Sequence, residues 1–178
     1  MLEGIIRESI GSSSAKKLRR DGYLTANIYA NGVENIQAAF KRGDFVKAAR
    51  RKEGLVLPLT VDGKEINTVI QEYQLHPVNG DVVHVDLRVA VPGQVTNFLV
   101  PVKTAGTPKG LKNKGVLVIS KKRLKVRGAI EDMPANFTLN VEDLDRDDSI
   151  LIRDIEAPAN CRLMDRDDVA ICGVIKAK

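Results

Sequence analysis

The sequence predicts a mainly β protein of the α+β class, with a β-rich unit carrying two short helices ahead of a nearly all-β unit. Three observations predict this order. Short apolar segments with two-residue periodicity recur along the whole chain of 178 residues. Two-residue turn signals, Asn31-Gly32 and Asp62-Gly63, separate pairs of these segments. Only two segments have the capping residues and charge pattern of helices, and both lie in the first third of the chain.

Both predicted helices have recognisable ends. In the first, Ser12 or Ser13 can cap the N-terminus, cations gather toward the C-terminus, and Gly22 can stop the helix. In the second, Asp44 can cap the segment DFVKAARRKE, and Gly54 follows its end. We therefore expect two short helices inserted between strands.

Strands account for the rest of the first unit, which ends near Ala90. We expect a first strand over 2–8, and hairpin turns at Asn31-Gly32 and Asp62-Gly63. The segment HPVNG leads into the last strand of this unit. The further expected strands are LTANIYA, VENIQAAF, VLPLTV, KEINTVIQEYQL and VVHVDLRVA.

The segment VPGQ (91–94) is the predicted boundary between two domains, 1–90 and 91–178, because Pro and Gly interrupt the pattern and the charge distribution changes there. Beyond it the chain predicts a sandwich or roll-like β-domain. A basic, Gly-rich loop (104–115) separates its first two strands, and two similar acidic turns, LDRDDSILI and MDRDDVAIC, each precede an apolar strand. The expected strands lie near 96–103, 116–119, 122–130, 137–141, 149–153 and 168–175.

Charge is unevenly distributed along a chain whose formal net charge is +5 and whose pI is about 9.2. Gly11 to Arg20 contains four cations and no acid, and residues 91–130 contain nine cations and no acid. Residues 131–168 hold twelve acids against four cations. This pattern favours a polyanionic partner. With aromatic residues at only 4%, recognition of RNA by an extended stack of rings is excluded.

No pattern typical of an enzyme, a cofactor site or a metal site occurs. His76 and His84 lack metalloprotease spacing, and the Gly- and Lys-rich loop does not fit a phosphate-binding P-loop. The two acidic DRDD turns lack the frame of a calcium loop, so solvated turns are the favoured interpretation. Cys161 and Cys172 are expected to be free thiols in a reducing cytosol. Neither a signal peptide nor a membrane span is predicted, so we expect a cytoplasmic protein with no membrane and no small-molecule substrate.

The segment AKKLRR (15–20) carries four cations in six residues. A solvated helix face and an RNA-binding face explain its composition equally well. Three features favour RNA: no acid is interleaved, Leu18 gives the helix an apolar side for docking, and the preceding Gly11-Ser-Ser-Ser offers hydroxyl and N–H groups to phosphates. We therefore expect Ser14, Lys16, Lys17, Arg19 and Arg20 to contact phosphates.

A polar row follows from the alternation in VVHVDLRVA. His84, Asp86 and Arg88 alternate with apolar residues, so they share one face of a strand, and Gln71 and Tyr73 share a face of another. An ordinary wet sheet face would have the same pattern. Mixed donors and acceptors also suit base edges and 2′-hydroxyls in the shallow minor groove of RNA.

Two motifs resemble the bacterial large-subunit ribosomal protein family that binds 5S rRNA, the L-twenty-five family, in its two-domain general stress protein (CTC) form. They are SSSAKKLRRDGYLTANIYANG and VDGKEINTVIQEYQLHPVNGDVVHVDL, and the later segments FLVPVKTAGTPKG, LNVEDLD and IRDIEAPANCRLMDRDD resemble the C-terminal β-domain of that family. The resemblance implies an N-terminal small β-barrel, with two or three short helices, that contacts the loop E region of 5S rRNA. The contacts implied position by position are Arg7, Lys16, Lys17, Arg19, Tyr29, Gln71, His84 and Asp86.

The favoured hypothesis is therefore a non-enzymatic structural protein of the large ribosomal subunit, monomeric off the ribosome, with 5S rRNA as its partner. Its C-terminal domain is a candidate for contacts with neighbouring large-subunit proteins. An alternative is a stress-adaptor module that docks partner proteins through the basic segment 103–127 and the acidic segment 131–168. A small hydrolase is a third hypothesis, but no set of catalytic residues in the sequence supports it. Co-sedimentation with large subunits distinguishes the first two.

Overall fold

The computed structural model describes residues 2–7, 9–30, 32–52 and 54–176 of the chain. It divides into two compact units, Met1–Val91 and Pro92–Lys178. Strands dominate both units, and the expected α+β class is confirmed. No helix among the described residues is long and apolar enough to cross a membrane.

The first unit is a closed six-stranded barrel, as expected, with strand order β1-β3-β2-β6-β5-β4. Antiparallel hairpins form most of it, and two parallel pairs, β2 with β6 and β1 with β4, complete the closure. Its elements are β1 (Leu2–Ile6), α1 (Ser12–Arg20), β2 (Tyr23–Ala30), β3 (Val33–Lys41), α2 (Arg42–Arg51), β4 (Val56–Val61), β5 (Lys64–Leu75) and β6 (Val82–Val89).

The two helices begin differently from the expectation. Helix α1 starts at Ser12 with Gly11 at the N-cap in an extended conformation, and no side chain caps it. Ser12 and Ser13 are therefore helical residues and not caps. Helix α2 starts at Arg42, directly after β3, so Asp44 lies in its first turn instead of at the cap. There its carboxylate still favours the positive end of the helix dipole.

The turns of the barrel follow the sequence signals where they are described. Asp62 and Gly63 both have positive φ, 52° and 74°, and join Val61 to Lys64 in a tight hairpin. Gly22 has φ 81° after α1, as expected for a helix stop. The predicted Asn31-Gly32 turn and the predicted extension of β1 to Glu8 involve Asn31 and Glu8, which lie outside the described residues.

The barrel core alternates with the outer face along each strand. Inward residues from β1, β2, β3, β4 and β6, together with Phe45 of α2, form one apolar cluster, and Ile66 and Ile70 of β5 pack against it. Phe40 is its largest fully buried side chain. Burial of such side chains is the main term that stabilises the barrel. The other members are Leu2, Leu24, Ala26, Ile28, Ala38, Leu57, Leu59, Val61, Val85 and Leu87.

Gly4 lies opposite Phe40 in the β1–β3 pair, and a methyl group at Gly4 would come within 2.3 Å of the Phe40 ring. We expect Gly4→Ala to lower the free energy of unfolding by about 1–3 kcal/mol, because overpacking forces Phe40 out of place. Gly43→Ala is the matched control. Apart from its chain neighbours and the backbone of α2, no atom of the described residues lies within 4 Å of that Cβ position, so the control should raise stability by up to about 1 kcal/mol. Urea denaturation measures both, and equal effects of the two would contradict the packing at Gly4.

The second unit contains two sheets. One has the order β10-β7-β9-β12 and the other β11-β13-β8. The predicted basic loop contains a short 3-10 turn, Lys109–Leu111, and two further 3-10 turns span Ile130–Asp132 and Ile152–Asp154. The strands are β7 (Thr96–Ala105), β8 (Gly115–Ile119), β9 (Arg123–Gly128), β10 (Phe137–Asn140), β11 (Ser149–Leu151), β12 (Arg162–Leu163) and β13 (Ala170–Lys176).

Two details of this unit differ from the expectation. The predicted strand near 149–153 ends at Leu151, because a 3-10 turn begins at Ile152. Strand β12, of only two residues, was not predicted, since a pair of residues carries no detectable periodicity. It nevertheless pairs with β9 and extends that sheet by one strand.

Candidate nucleic-acid interface

Helix α1 is fastened to the barrel at its C-terminal end. It packs on β2, and the Arg19 Nε donates a hydrogen bond of 3.3 Å to the carbonyl oxygen of Val83 near the start of β6. From the start of α2, Arg42 donates to the carbonyl oxygen of Arg19 at 3.2 Å and pairs with Asp81 at 2.6 Å. These bonds fix the helix orientation, so its remaining cations project from a defined position.

Those cations are Lys16, Lys17 and Arg20, here called the cationic helix face. All three are exposed, and α1 contains no acid. Among the described residues none of them takes part in an ion pair or a side-chain hydrogen bond, whereas Arg19 is half-buried and partly used in docking. Three unneutralised charges on two helical turns repel one another, and a polyanion relieves that repulsion.

A second group of polar residues lies on the outer side of three adjacent strands. In the parallel β2–β6 pair, Thr25 is opposite His84, Asn27 opposite Asp86, and Tyr29 opposite Arg88. In the antiparallel β5–β6 pair, Glu72 is opposite Asp86 and Gln74 opposite His84. Tyr29, Glu72, His84 and Asp86 are here called the polar sheet face.

His84 is held in one orientation by Thr25. The Nδ1 atom of His84 lies 2.9 Å from both the hydroxyl and the carbonyl oxygen of Thr25, and the hydroxyl is 3.2 Å from the carbonyl oxygen of Val83. A carbonyl can only accept, so the Nδ1–H donates to it, and the Thr25 hydroxyl donates onward to Val83. The Nε2 atom then points toward Asp86, whose Oδ1 is 3.4 Å away. About a quarter to a third of each side chain, 23% and 31%, stays exposed.

Tyr29 adds a hydroxyl donor to this face. Burial raises the pKa of the Tyr29 phenol above its ordinary value, the carboxylates of Asp86 and Glu72 raise it further, and Arg88 lowers it. The phenol therefore remains protonated at neutral pH and can donate a hydrogen bond. Beside it, Gln37 of β3 donates to the Asn27 side-chain oxygen at 3.2 Å, and the Asn27 amide nitrogen has no hydrogen-bond partner among the described residues.

The arrangement does not resemble a metal or redox site. No group of three or more His, Cys, Asp or Glu side chains in the described part of the chain could hold a metal ion. Cys161 and Cys172 are free cysteines, and burial raises the pKa of both thiols, so both stay protonated. What the geometry offers is a patch of exposed cations beside an ordered set of donors and acceptors.

Comparison with known proteins identifies the family. The model of the Ribosomal L25p family matches residues 2–87, and that of the Ribosomal protein TL5, C-terminal domain, matches residues 95–178. A large ribosomal subunit protein bL25 of a Nitratiruptor species is 58% identical over all 178 residues of both chains. The chain belongs to the ribosomal L25p family. Relatives of the same name in Wolinella succinogenes and Campylobacter lari are 56% and 52% identical, also over 100% of both chains.

The L25p family is one of ribosomal structural proteins and not of enzymes. The two family matches together cover almost the whole chain, and they correspond to the two-domain form that the sequence motifs indicate. The absence of a catalytic constellation in the sequence is thus in keeping with membership of this family.

The remaining residues that the sequence and the L25p resemblance single out lie around the same surface. The Arg7 backbone N–H donates to the carbonyl oxygen of Gln37 at 2.8 Å, which places Arg7 at the end of the row formed by Gln37, Asn27 and Asp86. The Ser14 hydroxyl accepts a 2.9 Å hydrogen bond from Ser9. The ten predicted contacts therefore lie on α1, on the chain just before it, and on β2, β5 and β6.

Gln71 and Tyr73 do not extend the polar row as period-two spacing suggests. The β5–β6 register shifts between Ile70 and Glu72, so Gln71 is the extra residue of a β-bulge. After the bulge, Tyr73 pairs with the buried Val85, and Glu72 and Gln74 stand opposite Asp86 and His84. Gln71 thus lies beside the row and not in it.

Sequence reasoning missed four members of this surface, Thr25, Asn27, Gln37 and Glu72. The alternation of β2, in which Tyr23, Thr25, Asn27 and Tyr29 share a face, was a usable signal for the first two. The parallel pairing of β2 with β6 could not be predicted, because nothing in the sequence of either strand indicates which distant strand it pairs with. Glu72 reaches the row only through the bulge.

Proposed function

We propose that this protein is a structural constituent of the large ribosomal subunit that binds 5S rRNA, at its loop E region, through residues 1–90. One observation carries the proposal: the cationic helix face and the polar sheet face belong to one compact unit and meet where Arg19 bonds to Val83, next to His84. Membership of the L25p family supports the ribosomal role. The protein acts on the ribosome in the bacterial cytoplasm, without a cofactor, and is a monomer when free.

The two faces have different tasks. Exposed lysines and arginines bind phosphates, which supplies affinity and makes it depend on salt but carries no sequence information. Ordered donors and acceptors on half-buried strands bind base edges and 2′-hydroxyls, which supplies specificity. The pairing of Thr25 with His84 supports this division, because a ring fixed by two 2.9 Å contacts presents its other nitrogen in a constant direction.

The polar sheet face contains two carboxylates, those of Asp86 and Glu72. Asp86 and Glu72 lie directly opposite each other on neighbouring strands, an arrangement of like charges that does not stabilise the sheet. They also repel phosphates. Carboxylates are useful on an RNA-binding face when they accept hydrogen bonds from base amino and imino groups, such as those of guanine. This favours recognition of particular bases over generic RNA binding.

The test is a pair of titrations with 5S rRNA and with tRNA, at matched salt, for the full chain and for a fragment of residues 1–91. We expect both proteins to prefer 5S rRNA by about a hundredfold or more, a modest ratio for specific nucleic-acid recognition. Circular dichroism confirms that the fragment is folded. A folded fragment without the preference, or a full chain that binds both RNAs equally, would refute the assignment.

A further inference from the structure

One side of a sheet in the second unit carries a concentration of positive charge that the proposed function does not use. Along β7 and β9, buried residues such as Phe98, Val100, Leu124 and Val126 alternate with outward residues. The register places Asn97 opposite Arg127 and Leu99 opposite Lys125 on the outward side, and Arg162 of β12 opposite Arg127. Lys103, Lys125, Arg127 and Arg162 are here called the basic sheet face.

Acidic residues do not neutralise this face. The four strands of the sheet, β10, β7, β9 and β12, contain no Asp or Glu. Within the described chain, no side chain of the basic sheet face takes part in an ion pair. Asp165 borders the face, but its carboxylate is bound by the Lys121 Nζ at 2.5 Å and by the Lys125 backbone N–H at 2.9 Å. The acids of this unit instead lie in turns, such as 142–148.

The register position of Arg127 opposite Arg162 is the strongest indication that this face binds an anion. The two arginines are directly opposite each other on antiparallel strands, where like charges destabilise a sheet by up to about 1 kcal/mol. Neighbouring strands are about 4.8 Å apart, and alternate residues along a strand about 6.7 Å apart. Cations at these intervals match successive phosphates of a nucleic-acid strand, and each guanidinium can bind one phosphate through two parallel hydrogen bonds.

We propose that the basic sheet face binds the phosphodiester backbone of RNA, independently of base sequence and separately from the interface on the first unit. RNA fits better than an acidic protein. The core of a protein interface is enriched in aromatic anchors, and the aromatic residues of this unit, Phe98 and Phe137, are both buried. Without an exposed ring the face cannot stack bases either, so its contacts are with phosphates.

The experiment uses the full chain and a fluorescent RNA duplex of about 20 base pairs and arbitrary sequence, longer than the roughly 16 base pairs that a double-stranded RNA-binding domain spans, titrated at several salt concentrations. The variant R127Q/R162Q removes the opposed pair. The matched control K112Q/K176Q removes two exposed cations of the same unit that lie outside this sheet. We expect R127Q/R162Q to weaken binding several-fold and to flatten the log–log salt slope by roughly 1.5 units, since each neutralised phosphate contributes about 0.7–0.9. The control should change the slope by much less.

Two further arms make the result decisive. R127K/R162K keeps both charges but loses the planar fork, so it should retain most of the salt slope. Thermal unfolding of R127Q/R162Q should show no loss of stability, because a repulsive pair is removed. The proposal is overturned if R127Q/R162Q and K112Q/K176Q weaken duplex binding equally. It is also overturned if R127Q/R162Q abolishes binding of a polyglutamate peptide and leaves RNA binding intact, a result that would identify an acidic protein as the occupant. Neither outcome bears on the preference for 5S rRNA over tRNA.

Discussion

Replacing both Lys16 and Lys17 by alanine is expected to flatten the log–log dependence of 5S rRNA affinity on salt by roughly 1.4 units. Each cation that neutralises a phosphate on irregular or single-stranded RNA contributes about 0.7 to that slope. Both lysines are exposed on a helix that hydrogen bonds hold against the barrel, and neither has a partner among the described residues. The expected loss is therefore one of phosphate contacts and not of folding, since Lys and Ala have similar helix propensities.

The matched control for this measurement is K47A/K64A. Lys47 on α2 and Lys64 on β5 are also exposed and unpaired among the described residues, but they lie outside both faces of the interface. The double substitution changes the net charge of the same unit by the same amount. Fluorescence anisotropy between about 50 and 300 mM salt, on the order of the range where such slopes are linear, gives both values. If K16A/K17A and K47A/K64A have equal slopes, α1 is a solvated helix and does not contact phosphates.

The fold was predictable wherever local chemistry decides it. The Asp62-Gly63 hairpin follows from two residues that tolerate positive φ, and the strands follow from two-residue periodicity. The helix starts were not predicted correctly, because Ser12, Ser13 and Asp44 lie in the first turns of the helices, although residues of these types are favoured at the N-cap. In α1 the Ser14 hydroxyl instead accepts a bond from Ser9. Barrel closure depends on the parallel pairs β1–β4 and β2–β6, which were not predicted. The family resemblance implied a barrel but not its strand pairing.

The interface was predictable within a single strand but not across strands. Alternation alone puts His84 and Asp86 on one face, and that is how the structure has them. The row across the sheet requires the strand register, and the bulge near Gln71 shifts that register by one residue. A single extra residue therefore exchanges Gln71 for Glu72 in the row. The register of β12 with β9 is equally hidden, so the opposition of Arg127 and Arg162 could be found only in the structure.

Asp86→Ala is expected to weaken binding of 5S rRNA by roughly 5- to 150-fold, while binding of tRNA stays equal or becomes slightly tighter. A good hydrogen-bonded base contact contributes about 1–3 kcal/mol of discrimination, and every 1.4 kcal/mol is about a tenfold change in affinity. Removing a carboxylate also removes repulsion from phosphates, which favours generic binding. Asp86 is half-buried between Asn27 and Glu72, with the His84 Nε2 3.4 Å from its Oδ1. Its oxygens can therefore accept hydrogen bonds from a base.

Two companion variants separate charge from hydrogen bonding. Glu65→Ala removes one acid from an exposed position of β5 outside the polar sheet face, so it should leave the ratio of 5S rRNA to tRNA affinity unchanged. Asp86→Asn keeps one acceptor oxygen but replaces the other by a donor, so it should fall between the parent and Asp86→Ala. The salt slope should stay near the parental value in all three, unlike in K16A/K17A, because no phosphate contact is lost. Should Asp86→Ala bind 5S rRNA as tightly as the parent while its circular dichroism spectrum is unchanged, the polar sheet face is ordinary wet surface and base recognition lies elsewhere on the barrel.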